Sequence, residues 1–96
     1  MRLAIVVPLR PDSRAEPTLQ TLGRQTWRDF AIVMAQDEWN NANSARNAGW
    51  EIARRMEPEF VLFSDDDIEW EADALEVLVA SLDRHPQASY AYGAYE

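Results

Sequence analysis

The sequence contains no cysteine, so disulfides, thiolate nucleophiles and cysteine-bearing zinc sites are all excluded. It contains no lysine either: the nine cations are all arginine, set against 17 acidic residues for a formal net charge of -8. That balance excludes a general affinity for nucleic acid, which needs a basic face to meet the phosphate backbone. A nucleotide stays open, because a bound metal ion reverses the local sign. Long apolar runs are also missing. Leu3-Ala4-Ile5-Val6-Val7 is halted by Pro8, too short for a signal-peptide core or a membrane span, so a cytoplasmic location is expected. Repeats, low-complexity tracts and linker-like breaks are absent as well. With an apolar fraction of 47%, the expectation is one small globular domain spanning residues 1–96.

What the chain does have is Phe60-Val61-Leu62-Phe63-Ser64-Asp65-Asp66-Asp67, an apolar run that stops in three consecutive carboxylates. The run lacks polar alternation, which predicts a strand covered on both faces with its end reaching solvent. Three adjacent carboxylates repel one another, and no basic residue occurs between Arg55 and Arg84 to relieve them. A cation from elsewhere is required. Mg²⁺ or Mn²⁺ fits, since such hard ions take one or two carboxylates and fill their other positions with water and substrate phosphates. In extended backbone Asp65 and Asp67 share a side and Asp66 faces the other, so an Asp-x-Asp pair can share one ion.

Taken in order, Leu3 to Val7 reads as a first strand followed by turn residues Pro8 to Ser13. A helix begins near Pro17, turns Leu19 and Leu22 inward and ends around Gly23 to Gln25. Asp29 to Ala35 reads as a second central strand, ending in Gln36-Asp37-Glu38-Trp39. Ala45, Ala48, Gly49, Ile52, Ala53 and Met56 mark one face of a second helix, with Asn43 or Ser44 as N-cap, and the small residues predict close packing on a sheet. A third helix runs from about Glu71 to Arg84 with Ala72, Leu75, Leu78, Val79 and Leu82 inward, and Ala88 to Ala94 reads as a fourth strand. The order β-α-β-α-β-α-β predicts an α/β fold, a Rossmann-like three-layer sandwich with a mainly parallel sheet. Ligands in such sheets bind beyond the carboxyl ends of the strands. Pro8, Asp37, Arg46 and Asp65 to Asp67 are all placed at that edge.

Each candidate also has a plainer reading. The aspartates read as a solvated turn, or as a calcium loop in which Asp65, Asp67, Glu69, Asp73 and Glu76 hold the ligand positions, although Trp70 stands where such a loop needs glycine. Asp37 reads either as a loop or cap residue or as an acceptor for a base or ribose. Arg46, placed in the first turn of a helix, opposes the helix dipole; it reads either as a surface arginine or as a diphosphate contact beside the N-terminal amides. His85 reads as a helix C-terminal dipole partner. Trp27, Trp50 and Trp70 read as packing residues, and so does Trp39, for which base stacking is the alternative.

The chain resembles the N-terminal, nucleotide-binding half of family 2 glycosyltransferases with the GT-A fold. The resemblance rests on Ile5-Val6-Val7-Pro8, on Leu19-Gln20-Thr21-Leu22 with Gln25-Thr26-Trp27, and on the Phe30 to Asp37 strand. It rests equally on Ala45-Arg46-Asn47-Ala48-Gly49 and Phe63-Ser64-Asp65-Asp66-Asp67. It implies a nucleotide-diphosphate sugar of UDP, GDP or TDP type as ligand, with Mg²⁺ or Mn²⁺ at a DxD motif formed by Asp65 and Asp67, Asp67 being the more direct ligand and Asp65 lying nearer the ribose. Asp66 belongs to the same donor site. Asp37 would contact the nucleoside, Arg46 the diphosphate, and Pro8 would shape the pocket through its backbone. Transfer with inversion is implied too. The chain departs from the family in having Leu9-Arg10-Pro11 after the proline and Gln36-Asp37-Glu38-Trp39 after the second strand. Family members are longer, so the resemblance implies a truncated domain without the half that carries the general base, and no catalytic residue is assigned. Two other readings stand beside it: a non-catalytic binding or assembly module that pairs with another copy through the edge strand Ala88 to Ala94, and phosphoryl transfer on the same aspartates.

Overall fold

The computed structural model describes residues 2–9, 15–36, 42–66 and 68–84. The predicted fourth strand, His85, Trp39, Asp37 and Asp67 lie outside the described residues. Along the chain come β1 (Leu3–Leu9), α1 (Glu16–Gly23), β2 (Phe30–Gln36), α2 (Ala42–Arg55), β3 (Phe60–Phe63) and α3 (Ala74–Arg84). This is a Rossmann-like α/β arrangement of the GT-A type: one parallel sheet in the order β2-β1-β3 among the described strands, with helices between successive strands. The chain divides into two compact units, one within residues 1–15 and 29–67 and the other within 16–28 and 68–96.

The strand unit is organised by β1. Its residues Leu3 to Pro8 are all buried, as expected for a strand with a neighbour on each side. Here the expectation that β2 and β3 are also fully covered is corrected. Phe60, Val61 and Leu62 are only half-buried and Phe63 is exposed, while β2 alternates between buried Val33 and Ala35 and exposed Met34 and Gln36. An apolar run without alternation does not by itself fix how fully a strand is covered.

Helix α2 lies on β1 and β2 through a stripe of small side chains. Ala45, Gly49 and Ala53 are buried, four residues apart, and Ala53 joins Ala4, Val6 and Val33 in one apolar cluster with Val61 packed against it. A Cβ on Gly49 would overlap Val6 Cγ1 and come within 3.4 Å of Ala35 Cβ, so at this position glycine sets how closely helix and sheet approach. The face is narrower than its periodicity predicts: Ala48, Ile52 and Met56 are exposed, Ile52 by 48%, and Trp50 is exposed rather than packed. The helix also starts before the predicted caps, with Asn43 and Ser44 inside it. It ends through Glu57, which takes a left-handed φ of 53° just before Pro58. At the amino edge of the sheet, Arg2 donates from Nε (2.9 Å) and Nη2 (2.7 Å) to Glu59 Oε2 and lies 5.7 Å from the centre of the Phe60 ring.

The second unit is held by a glutamine. Gln25, 2% exposed, donates from Nε2 to the carbonyls of Thr21 (3.1 Å) and Glu71 (2.6 Å), and its Oε1 accepts from the Leu75 N–H (3.0 Å). Thr26 adds N–H to Ala72 O (2.8 Å) and Oγ1 to Glu76 (2.8 Å), and the Trp70 N–H donates to Thr21 Oγ1 (3.0 Å). These bonds draw residues 70–72 toward the end of α1, which is why α3 begins at Ala74 and not at Glu71 as its periodicity suggests. Leu22, Leu75 and Val79 are buried as predicted, with Leu19, Leu78 and Leu82 half-buried, and Trp70 is a buried packing residue.

Candidate functional site

In a parallel sheet every strand presents its carboxyl end at the same edge, so Leu9, Gln36 and Phe63 define one rim. The route by which β3 leaves that rim follows from Pro8. Arg2 O accepts from Phe60 N (3.0 Å) and Val6 O from Ser64 N (2.9 Å), so the even-numbered carbonyls along this stretch are directed at β3, while the Arg2 N–H, just ahead of β1, donates to Asp29 O (3.2 Å). Pro8 is the next in that series and has no N–H to give. Pairing between β1 and β3 stops at Val6 and Ser64, and the chain is released from the sheet where the aspartates begin. Odd-numbered residues face β2, beginning with Leu3 N to Asp29 O (3.4 Å), so the proline leaves that ladder intact. Strand β1 therefore continues past the predicted break, to Leu9.

Ser64 is fully buried, and its hydroxyl donates to the Asp65 carbonyl (3.1 Å). The next two carboxylates are in different environments: Asp65 is exposed, whereas Asp66, in a turn, is only 5% exposed. Arg46 reaches the first of them from the second turn of α2, its Nη2 lying 3.2 Å from Asp65 Oδ1 with the two side chains 40% and 58% exposed. The charge that the sequence lacks around the aspartates is thus supplied by tertiary contact, from a residue 19 positions earlier. The structure brings Arg46 and Asp65 together at the rim, with Pro8 at the end of the neighbouring strand; Asp37 and Asp67 are outside the described residues.

Among the described residues no three acidic or imidazole side chains gather as a metal-binding group, and Glu76 is engaged by Thr26 inside the second unit. Sequence reasoning assigned no role to Gln25, whose signal was its place in Gln25-Thr26-Trp27. It is the polar centre of the second unit. No helix among the described residues is long and apolar enough to cross a membrane.

No curated protein matches the chain. The family model described as "Glycosyl transferase family 2" matches residues 24–96, a span that takes in β2, α2, β3, α3, Arg46 and all three aspartates. With an arginine and an aspartate meeting at the carboxyl rim of a parallel α/β sheet, and both of them inside a family match that covers most of the sequence, one conclusion follows: the chain belongs to glycosyl transferase family 2.

Proposed function

We propose that the chain binds the donor of a glycosyl transfer, a nucleotide-diphosphate sugar of UDP, GDP or TDP type, together with Mg²⁺ or Mn²⁺, for inverting transfer to an acceptor. The observation that carries this reading is the Arg46–Asp65 pair at the rim, a half-exposed guanidinium and carboxylate side by side in a family 2 chain. The residues present suit a hard divalent ion. Asp65 offers exposed carboxylate oxygens at a strand end, and Mg²⁺ or Mn²⁺ needs only one or two carboxylates when phosphates and water complete its shell. Asp65 and Asp67 would hold it. When bound, the ion neutralises the leaving diphosphate as a Lewis acid.

The chain's own residues divide the remaining work. Arg46 offers a planar array of donors suited to phosphate oxygens. Pro8 keeps the strand end open through its missing N–H, Asp37 contacts the nucleoside, and Asp66 belongs to the same donor site. No residue is assigned as general base.

Calorimetric titration with UDP, GDP and TDP sugars, with and without Mn²⁺, tests the reading. One of the three is expected to bind, more tightly with the metal, and Asp65→Asn is expected to weaken that binding by roughly 10- to 100-fold, the value of one charge-assisted contact of about 1.5–3 kcal/mol. Failure of every nucleotide to bind at millimolar concentration would defeat it.

A further inference from the structure

Arg46 and Asp65 carry opposite charges that the donor site uses separately, one toward phosphate and one toward metal, yet they meet each other at 3.2 Å. Resting on the donor-binding reading above, we propose that Arg46 is the resident counter-cation of Asp65. It neutralises the carboxylate until a nucleotide diphosphate draws the guanidinium away, so that the metal is admitted with the nucleotide rather than before it.

Three observations support this. The arginine is mounted on a helix whose small-residue stripe is packed on the central strands, so its backbone is fixed while its side chain stays half in solvent. The sequence supplies no cation between Arg55 and Arg84, so the positive charge at Asp65 comes from outside that stretch, through the tertiary contact with Arg46. An ion pair this exposed is held only weakly, by a factor of a few, whereas phosphate offers a guanidinium paired, charge-assisted hydrogen bonds. The exchange therefore runs toward the diphosphate when one arrives. A divalent ion arriving alone must displace or sit beside a positive charge, which lowers its affinity for the ligand-free protein.

The test is Mn²⁺ alone, titrated into the full chain with the free ion followed by electron paramagnetic resonance. Arg46→Gln is expected to bind Mn²⁺ about three- to tenfold more tightly than the unaltered protein, the range for removing one unit charge from a partly solvated carboxylate. Arg46→Lys, which keeps the charge, should stay near the unaltered value, and adding Asp65→Asn to Arg46→Gln should abolish the gain. Equal or weaker Mn²⁺ binding by Arg46→Gln overturns the proposal. If that happens while a nucleotide sugar still binds with Mn²⁺, the donor-binding reading survives alone. If Arg46→Gln gains Mn²⁺ affinity but no nucleotide diphosphate binds, the counter-cation role survives and the donor-binding reading falls.

Discussion

The strand unit and the unit holding α1 and α3 reach their buried cores by different means. In the first, Ala4, Val6, Val33 and Ala53 close on one another by shape, and among the described residues the buried polar Ser64 and Asp66 stand where β3 leaves the sheet. In the second, buried Leu22, Leu75 and Val79 share the interior with Gln25 and Thr18, and one glutamine side chain ties α1 to the start of α3. The contrast separates two uses of a buried polar group. Gln25 has its amide satisfied on both sides and is committed to structure; the polar residues at the end of β3 lead directly to the exposed pair at the rim.

Breaking the polar tie should have the largest effect. Gln25→Ala leaves the Leu75 N–H and the Glu71 and Thr21 carbonyls without this partner, and a loss of about 3 kcal/mol is expected at roughly 1–3 kcal/mol per unsatisfied buried group. Urea unfolding gives the total, and accelerated amide exchange at Leu75 would locate it.

Shape is tested next by Gly49→Ala. Overlap with Val6 costs about 1–3 kcal/mol, and the better helix propensity of alanine returns about 1, so a net loss of roughly 1 kcal/mol is expected. Combining it with Val6→Ala should cost less than the sum of the two single changes. Strict additivity would show that the helix does not press on the strand there.

Glu57→Gly sharpens the comparison in the opposite direction, relieving a left-handed residue at the end of α2 and raising stability by about 0.5–1 kcal/mol, read as a higher midpoint in the same unfolding series. The smallest effect belongs to Arg46→Ala. Removing one side of an exposed pair should change stability by less than about 1 kcal/mol, so any large loss of nucleotide binding in this variant reports on the site and not on folding.

Much of the fold was legible because periodicity and punctuation are local. The three described strands, the three helices and the close approach at Gly49 all follow from side-chain spacing and from proline placement. Reading failed where the competing term was not local. Fully apolar runs looked equally covered, but β1 is buried throughout whereas β2 and β3 keep exposed side chains, and Ile52 and Met56 continue a helical face that is left exposed. Helix α3 loses its predicted first turn to hydrogen bonds from Gln25 and Thr26, residues nearly fifty positions away. The candidate site shows the same division. The acidic run and Arg46 were each visible as unusual charges, but their partnership was not.

By itself, then, the sequence determined which segments are strands and helices, the absence of cysteine and lysine chemistry, and the position of an acidic cluster after an apolar run, because these depend on neighbours within a few residues. Only the tertiary structure decided that Arg46 neutralises Asp65, that Pro8 ends the pairing of β1 with β3, and that Gln25 is a structural centre. Each of those depends on which backbone or side-chain groups are brought within hydrogen-bonding distance from far along the chain.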